Sequence, residues 1–439
     1  MKKLYQTFLN CKGVCIDSRK IREGEIFFAI KGPNFDANKF AGKAMENGAL
    51  AAVVDNPKIA GNHPDFFFVT DALKTMQQLA NHHRKNFEGS VFALTGSNGK
   101  TTTKELIKSV LNQKYRVHAT GGNYNNLIGL PFTILNSKAK TELMVLEMGA
   151  NAPGEIAQLC QIAEPDVGMI TNIGKAHLEG FGTLDGVVRA KSELYDSLAE
   201  REGTALVNLA EKHLEVNSKK VKNREFYSSN GLVKNGRELI VQAELMSHYP
   251  EISLRFKLRK FTHFTEVNCQ LTGRYNFPNV VSAIATAAYY GLSQEEIAEG
   301  IKTFKPFTNR SEIITFRSNS VFLDAYNANP SSMRASIDHF LENFPGPRIL
   351  ILGDMLELGT DSMKEHRQLV SDLEEKNDNY EQLWLVGKEF GKLDVNAPIR
   401  HFPSAEKVAE ELKKQEIRNH SILLKGSRGI GLEKIIDSK

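Results

Sequence analysis

Residues 95–102 read TGSNGKTT, a composition typical of a loop that binds phosphate groups, although a leucine stands where the first glycine of the common pattern would be. Gly96 and Gly99 allow backbone N–H groups to turn toward an anion, because glycine has no Cβ to obstruct that conformation. The ammonium group of Lys100 can reach the outer phosphates of a nucleotide, and the hydroxyl of Thr101 can ligate Mg²⁺. A glycine turn that only caps a helix is the alternative interpretation. The apolar run before the loop and the helical pattern after it favour the phosphate site.

Three more side chains could take part in chemistry beside such a loop. Glu147 ends the apolar run 143–147, and open α/β sheets place their ligand sites at the carboxyl ends of strands. Its carboxylate could hold the Mg²⁺ of a bound nucleotide, or it could be a solvated acid at a strand end. His177 lies in the glycine-rich segment 171–182 and is either a ligand or an exposed loop histidine. Lys191 lies on a predicted helix and by itself indicates only a surface lysine.

Two segments in the last third of the chain also place polar residues after apolar runs. Asp324 ends one run and precedes the loop AYNANPSSM, in which Pro330 favours an extended conformation for the residue before it. Asn327 and Asn329 suit a binding loop but also suit any turn. The segment KGSRG at 425–429 offers a lysine and an arginine that could bind a carboxylate, and plain turn chemistry explains it equally well.

The elements that must position these residues fall into three regions, which we expect to be domains at 1–88, 89–306 and 307–439. Short apolar runs and one helical stretch predict a small α/β domain in the first region. In the central region, strand-like and helix-like segments alternate, which is typical of a mainly parallel sheet of the P-loop ATPase kind. The predicted strands of the central region lie at 91–94, 143–147, 167–171 and 204–208.

Residues 224–271 depart from this alternation, and their β-like runs predict an antiparallel segment on the edge of the central sheet. The third region alternates again and predicts a second open α/β sheet, which is Rossmann-like. Its predicted strands lie at 321–324, 348–353, 382–387 and 421–425, with a helix from Ser331. Breaks in composition at 85–89 and 305–308 predict hinges near residues 88 and 306, so that the three regions would move as rigid bodies.

The composition is that of an ordinary globular protein, and it limits the classes of function. Hydrophobic residues make up 41% and charged residues 25% of the 439 residues, and the formal net charge of +4 argues against a broad nucleic-acid-binding surface. We find no signal-peptide core near Met1 and no apolar run near the roughly 20 residues that cross a bilayer. We therefore expect a cytoplasmic protein that binds no membrane. The four cysteines are few and scattered, which predicts reduced thiols.

With these motifs placed, the chain resembles the Mur ligases along essentially its whole length. The phosphate loop, the segment 172–182 with Lys191, and the motif DAYNANPSSM at 324–333 carry the resemblance. The last motif resembles the class of the family that adds D-alanyl-D-alanine to UDP-N-acetylmuramoyl-tripeptide. The motif DSR at 17–19 resembles the part of the family's first domain that binds the uridine end of the nucleotide sugar, and residues 121–131 resemble a loop beside that sugar nucleotide.

The resemblance implies a role for each candidate residue. Lys100 and Thr101 would hold the phosphates of ATP and a first Mg²⁺ together with Glu147, and His177 would hold a second Mg²⁺. Lys191 would carry a carbamate, which converts a cation into an anion that can orient a metal ion. The other implied contacts to ATP are Gly96, Ser97, Asn98, Gly99, Thr102, Asn276, Asn279, Arg310 and Asp324. The implied substrate contacts are Asp17, Ser18, Arg19, Asn125, Asn126, Tyr326, Asn327, Lys425 and Ser427, with the incoming dipeptide in the third domain.

The implied reaction is the ATP-dependent formation of an amide bond in the synthesis of peptidoglycan precursors. The terminal carboxylate of the tripeptide would attack the γ-phosphate of ATP, and the amine of D-alanyl-D-alanine would then attack the acyl phosphate and release phosphate. The alternatives are a Mur ligase that adds another amino acid, a folylpolyglutamate synthase-like enzyme, and a P-loop ATPase or switch protein. The motifs at 17–19 and 324–333 argue against the two other ligases. We expect a monomer.

Overall fold

The first region of the chain forms a small α/β domain in a computed structural model that describes residues 1–61, 63–231, 237–306, 310–395 and 398–437. Its strands are β1 (Val14–Cys15), β2 (Ile26–Phe28), β3 (Lys31–Gly32), β4 (Phe35–Asp36), β5 (Ala51–Val54) and β6 (Phe66–Phe68). Its helices are α1 (Lys2–Leu9), α2 (Ala41–Glu46), α3 (Pro57–Ala60) and α4 (Ala72–Lys85). Four of the strands pair in parallel in the order β1-β2-β5-β6, while β3 and β4 form a hairpin.

The central domain contains a six-stranded sheet in which every pairing is parallel. Its strands are β7 (Ser90–Thr95), β8 (Val117–Ala119), β9 (Leu143–Glu147), β10 (Val167–Ile170), β11 (Thr204–Asn208) and β12 (Asn223–Tyr227), in the order β12-β11-β10-β7-β9-β8. Its helices are α5 (Lys100–Leu111), α6 (Gly129–Leu135), α7 (Glu155–Ala163), α8 (Leu178–Phe181), α9 (Leu184–Glu200), α10 (Lys212–Asn217), α11 (Phe277–Tyr289) and α12 (Gln294–Lys302). Strands β7, β9 and β10 are almost wholly buried, as expected for parallel strands with both faces covered. This confirms the predicted central sheet.

The antiparallel segment predicted at the edge of the central sheet is a separate sheet. It has three antiparallel strands, β13 (Val241–Ser247), β14 (Ile252–Leu258) and β15 (Thr265–Cys269). Strand β12, at the start of the predicted segment, instead pairs in parallel with β11 and is the edge strand of the central sheet. The predicted antiparallel pairing of the strands is therefore confirmed, but their predicted position on the edge of the central sheet was wrong. Buried residues alternate along β14, so one face of the small sheet packs against a hydrophobic core that it shares with α11.

The third domain is the second open α/β sheet that the sequence predicts. Its strands are β16 (Glu312–Phe316), β17 (Asn319–Asp324), β18 (Arg348–Gly353), β19 (Gln382–Val386), β20 (Ile399–Phe402) and β21 (Ser421–Lys425), in the order β16-β17-β21-β18-β19-β20. Its helices are α13 (Pro330–Asn343), α14 (Ser362–Glu374), α15 (Ala405–Lys414) and α16 (Lys434–Asp437). Only β16 is antiparallel to its neighbour. The predicted linker at 305–308 lies partly outside the described residues.

Two joints connect the central domain to its neighbours. The first joint is the contact of α4 with α6 and α7, and a single hydrophobic core runs through it from Phe8 and Met76 to Leu130 and Leu159. The second joint is the contact of the third domain with the loops that follow β7 and β10. Across the described ranges, we find no helix that combines the length and the apolar composition needed to cross a bilayer.

Candidate active site

The loop after β7 can approach an anion because the surroundings of two glycines exclude a side chain. Gly96 has a φ of +150°, and a Cβ there would lie 2.0 Å from Oγ1 of Thr171. Gly99 has a φ of +76°, and a Cβ there would lie 2.2 Å from Oδ1 of Asn279. Gly99 is also the N-cap of α5, so the free N–H groups at the start of this helix belong to the loop. The loop is therefore shaped to bind a phosphate group.

Lys100 is the first residue of α5 and the cation of this loop. Its Nζ donates hydrogen bonds to the backbone oxygen of Gly96 at 2.7 Å and to that of Ser97 at 3.2 Å. Burial lowers the pKa of Lys100, and the nearby carboxylate of Glu147 opposes that shift. The ammonium group is thus held against the loop, within reach of any phosphate that the loop amides bind.

Thr101 and Glu147 meet beside this lysine. Oγ1 of Thr101 donates to Oε1 of Glu147 at 3.1 Å, and Nδ2 of Asn125 donates to the same oxygen at 2.8 Å. Glu147 is 1% exposed, and its Oε2 has no hydrogen-bond partner among the described residues, although Nζ of Lys104 lies 3.9 Å away. A buried carboxylate oxygen without a donor is unfavourable, and it is also the kind of ligand that Mg²⁺ prefers. The alternative of a solvated strand-end acid is therefore wrong.

The ligand set fits a metal ion that arrives with a nucleotide. Within the ranges that the structure describes, no group of three or more His, Cys, Asp or Glu side chains lies close enough to hold a metal ion. Mg²⁺ usually binds one or two carboxylates and takes phosphate and water oxygens as its other ligands. Glu147 and Thr101 can supply such a partial set beside a phosphate loop.

His177 and Lys191 follow β10 along the chain. His177 has a left-handed backbone with a φ of 52°, and its Nδ1 lies 2.6 Å from Oε2 of Glu357 in the third domain. Lys191 is 1% exposed, and its Nζ lies 5.3 Å from the centroid of the Phe181 ring. Within the part of the chain that the structure describes, this Nζ has no hydrogen-bond partner. Burial, followed by the positive charge of Lys100, lowers the pKa of Lys191 to about 7. The interpretation of Lys191 as a surface lysine is wrong.

The third domain brings a cation and an aromatic ring to the same place. The guanidinium of Arg310 lies 3.6 Å from the centroid of the Tyr326 ring, and its Nη2 donates to Oγ1 of Thr101 at 3.3 Å. Nζ of Lys425 lies 2.9 Å from Oδ2 of Asp324, at the adjacent ends of β21 and β17. The loop after β17 is thereby held over the phosphate loop.

Asn276 and Asn279 lie at the start of α11, where they bond to each other and to their surroundings. Nδ2 of Asn279 donates to Oδ1 of Asn276 at 2.9 Å, and Oδ1 of Asn279 accepts from Oγ1 of Thr103 at 3.1 Å. Nδ2 of Asn276 donates to the backbone oxygen of Thr272 and to Oγ of Ser311. These bonds fix both amides against α5 and the third domain.

One cavity of about 760 Å³ gathers most of the predicted residues. Its lining includes Ser97, Asn98, Gly99, Lys100, Thr101, Thr102, Asn125, Asn126, Glu147, His177, Asn276, Asn279, Arg310, Asp324, Tyr326, Asn327 and Lys425. Gly96, Lys191 and Ser427 are outside this lining. The hydroxyl of Ser427 accepts a hydrogen bond from the N–H of Leu356 at 2.9 Å and donates one to the backbone oxygen of Ala328. These two bonds join two loops of the third domain. The structure therefore gives Ser427 a supporting place rather than a place in the cavity wall.

A second cavity, of about 1600 Å³, lies between the first and central domains and is lined by Asp17, Ser18 and Arg19. The guanidinium of Arg19 lies 2.9 Å from Oδ2 of Asp17, and this hydrogen-bonded pairing lowers the pKa of Asp17 to about 2. The side chain of Arg19 is 86% exposed and so remains available to an anion in the cavity. The structure thus separates the predicted residues into two sites.

Two residues at the second joint were missed by the sequence analysis. Glu357 lies in the loop after the carboxyl end of β18, and the carboxyl end of a parallel strand is also where Glu147 lies. The adjacent ring of His177 lowers the pKa of Glu357. Oγ of Ser311 lies 2.7 Å from the hydroxyl of Tyr275, and no local pattern could have indicated a contact between two domains.

Comparisons with known proteins cover nearly the whole chain. Three family models match, the Mur ligase family catalytic domain at residues 10–84, the Mur ligase middle domain at 94–287, and the Mur ligase, glutamate ligase domain at 309–428. The chain is 35% identical over 440 residues to the UDP-N-acetylmuramoyl-tripeptide–D-alanyl-D-alanine ligase of Bacillus subtilis, with 97% of this chain and 92% of that protein covered. It is similar to MurF from Acinetobacter baumannii with a TM-score of 0.84 and 29% identity, over 99% of this chain and 97% of that one. The MurF ligase of Thermotoga maritima in complex with ADP gives a TM-score of 0.83 and 28% identity, over 98% and 97% of the two chains.

Proposed function

The chain belongs to the Mur ligase family, and on that premise we propose that it is the ATP-dependent ligase that joins D-alanyl-D-alanine to UDP-N-acetylmuramoyl-tripeptide. The observation that carries the proposal is the shared cavity at the second joint. The phosphate loop with Lys100 lines one side of it, and the third-domain loop with Asp324 and Tyr326 lines the other. This arrangement supports an ATP site that faces a domain able to present a second substrate.

The first step joins two anions, and the residues of the central domain reduce their repulsion. The terminal carboxylate of the tripeptide attacks the γ-phosphate of ATP, so that an acyl phosphate forms and ADP leaves. Lys100 and the loop N–H groups offset the negative charge of the phosphates as the bond to the leaving ADP breaks. Arg310, which already contacts Thr101, adds a cation from the third domain.

Glu147 and Thr101 would hold a first Mg²⁺, and His177 with Lys191 would hold a second. When bound, Mg²⁺ would neutralise phosphate charge and orient the reacting oxygens. The support from this chain is the buried, unpartnered Oε2 of Glu147 beside the hydroxyl of Thr101.

We infer that Lys191 is carbamylated in the active enzyme. Its amine is buried and has no hydrogen-bond partner, and a pKa of about 7 leaves a large neutral fraction at physiological pH. A neutral amine can add to the carbon of CO₂ and release one proton, which gives a carbamate anion. That anion would supply oxygen ligands in place of an ammonium group, which repels a metal ion.

The second step belongs to the third domain. The free amine of D-alanyl-D-alanine attacks the acyl carbon, the tetrahedral intermediate expels phosphate, and the nitrogen loses a proton to become an amide. Tyr326, Asn327 and Lys425 line the cavity and would hold the dipeptide, while Ser427 would keep their loop in place. With the third domain against the phosphate loop, water that could hydrolyse the acyl phosphate would be excluded.

The nucleotide sugar would occupy the second cavity and reach from there to the first. Arg19, with Asp17 and Ser18, would bind its uridine diphosphate end, and Asn125 and Asn126 would lie beside the sugar. The domain boundaries at residues 88 and 306 then separate the site for the nucleotide sugar, the site for ATP and the site for the dipeptide. We propose a monomer that acts in the cytoplasm, where ATP is available.

A ligase assay tests this function. The protein is incubated with ATP, Mg²⁺ and UDP-N-acetylmuramoyl-tripeptide, with and without D-alanyl-D-alanine, and phosphate release is measured together with the mass of the nucleotide product. We expect phosphate release to require both substrates, and the product to gain the mass of the dipeptide less one water. Single amino acids, including glutamate, replace the dipeptide as controls.

Two results would contradict the proposal. Equal phosphate release with a single amino acid would assign the chain to another ligase of the family. Phosphate release from ATP alone, with no change in the nucleotide sugar, would indicate a P-loop ATPase or switch protein.

A further inference from the structure

Glu357 and His177 meet across the second joint in backbone conformations that are unfavourable for residues with a side chain. His177 has a φ of 52° and Glu357 a φ of 65°. Such conformations persist where the surroundings fix them, and they concentrate at functional sites. The two residues come from different domains, and Nδ1 of His177 lies 2.6 Å from Oε2 of Glu357.

The third domain fixes the loop of Glu357 through buried partners of its own. The N–H of Met355 donates to Nε2 of His366 at 3.0 Å, and the N–H of Leu356 donates to Oγ of Ser427 at 2.9 Å. Both His366 and Ser427 are buried. The backbone that leads into Glu357 is therefore held by partners within its own domain.

The two backbones approach each other closely at the same point. Gly359 has a φ of +55°, and a Cβ there would lie 2.9 Å from Cα of Glu179. The N–H of Glu179, two residues after His177, donates to the backbone oxygen of Glu357 at 3.3 Å. The contact between the carboxylate and the ring is thus one part of a close fit between the loops.

The chemistry of histidine gives this contact a role. Nδ1 lies against the carboxylate of Glu357 in an ion-pair contact and has no hydrogen-bond partner among the described residues, so Nε2 is the nitrogen left for a ligand. Histidines that bind metal ions commonly present their second nitrogen to a carboxylate, which orients the ring and raises its basicity. The side chain of Glu357 is 51% exposed, and that of His177 is 20% exposed, so both can adjust when a ligand binds.

We propose that Glu357 is a positioning residue supplied by the third domain, and that its carboxylate orients His177 so that Nε2 can hold a metal ion. The inference rests on the proposed function, because that function gives His177 its metal. It adds that the metal site is complete only when the third domain lies against the central domain. Metal binding and domain closure must then favour each other by the same factor.

The test measures metal binding without turnover. The full-length protein is titrated with Mn²⁺ in the presence of saturating ADP, and free Mn²⁺ is followed by electron paramagnetic resonance. We expect the wild type to bind two equivalents, and Glu357→Gln to bind one of them about 10- to 100-fold more weakly. The other equivalent should be unchanged, because Glu147 is held by Thr101 and Asn125 within the central domain.

Two more variants exclude trivial explanations. Glu357→Gly removes the carboxylate and also relieves the left-handed backbone, so it should fold at least as well as the wild type and lose the same equivalent. Glu179→Gln removes an exposed charge from the same interface without touching the ring, and it should bind both equivalents normally.

Any of three results would overturn the inference: wild-type binding of both equivalents by Glu357→Gln, equal weakening of both equivalents, or the same loss in Glu179→Gln. A wild type that binds a single equivalent with ADP would also overturn it. None of these measurements needs the dipeptide or the nucleotide sugar. A failure of the proposed ligase function would therefore appear separately, in the ligase assay.

Discussion

The first joint is apolar and continuous, whereas the second joint is polar and surrounds a cavity. At the first joint, α4 packs on α6 and α7, and side chains of both domains belong to one hydrophobic core. The guanidinium of Arg84, which is 8% exposed, donates to the backbone oxygens of Ala163 and Glu164 and to both carboxylate oxygens of Asp166. Asn136 also pairs with both backbone groups of Val14.

The second joint includes polar contacts between side chains of the two domains, beside a smaller apolar contact in which Tyr249 and Tyr275 pack against the core of the third domain. Nδ2 of Asn329 donates to Oδ1 of Asn98 at 2.7 Å, and Nζ of Lys175 donates to Oε1 of Glu365 at 2.7 Å. Such polar contacts contribute a modest net free energy, because water satisfies the same groups when the domains part. Buried apolar surface has no such substitute. The difference indicates that the first two domains move as one body and that the third domain moves against them.

Lys100→Ala should have the largest effect, because it removes the cation of the phosphate loop, which lines the cavity at the second joint. We expect a fall in ligase rate on the order of 10²–10³ with an unchanged fold, since one preorganised charge contact to the phosphates is lost. Steady-state kinetics and circular dichroism measure the two quantities. Lys108→Ala, on the same helix but near its other end, is the matched control and should leave the rate unchanged. Near-normal turnover by Lys100→Ala would show that the reaction does not take place in the cavity at the second joint.

Lys191→Ala should lower the rate by about 10² and should respond to added carboxylates. A small carboxylate such as acetate would partly restore activity by entering the space of the proposed carbamate. In the wild type, activity should fall as pH decreases through about 7, because protonation of the amine prevents carbamate formation, and bicarbonate should raise it most near that pH. Wild-type rates in Lys191→Ala at limiting Mg²⁺ would show that no carbamate is used.

The sequence could predict what is encoded locally. The phosphate loop, its flanking strand and helix, and Glu147 at the end of β9 all follow from patterns within a few residues of each other. The short strands β8, β16 and β20 were not predicted, since three to five residues carry too little periodicity to separate a strand from a loop.

The relations between distant segments could not be predicted. A polar stretch at 85–89 indicated a hinge, yet the structure buries the guanidinium of neighbouring Arg84 in the central domain, which argues against a hinge near residue 88. An arginine counts as a polar residue in the sequence whether the folded protein leaves its guanidinium in solvent or buries it. Glu357 likewise gained significance only when folding brought it to His177.

Arg84→Met should destabilise the first joint by about 2–3 kcal/mol, because it leaves buried carbonyl groups without donors and Asp166 without its cation. Lys175→Met is the matched change at the second joint, and it should cost less than about 1 kcal/mol because Lys175 is half exposed. Urea denaturation followed by circular dichroism measures both. The single tryptophan, Trp384, is buried in the third domain, so its fluorescence should report an unaltered transition in Arg84→Met. Equal costs for the two variants would contradict the contrast between the joints.

The smallest expected effect concerns His339, which lies at the second joint. Its Nδ1 accepts a hydrogen bond from Nδ2 of Asn343, and its Nε2 contacts Oγ1 of Thr272 at 3.1 Å. Burial, and then His248, lowers the pKa of His339 to about 4, against the opposing influence of Glu342 and Asp324.

Because that pKa lies below the usual value of 6.5, the unfolded chain binds the proton more readily than the folded protein does. Protonation of His339 therefore does not reduce the free energy of unfolding above pH 6.5. The free energy of unfolding falls as the pH decreases toward 4, by on the order of 1 kcal/mol at pH 5.5. His339→Gln should show a shallower decline of stability between pH 6.5 and 5 in the fluorescence of Trp384, whereas His213→Gln, at an exposed position, should follow the wild type. An unchanged slope in His339→Gln would mean that the acid sensitivity of the third domain arises away from the joint.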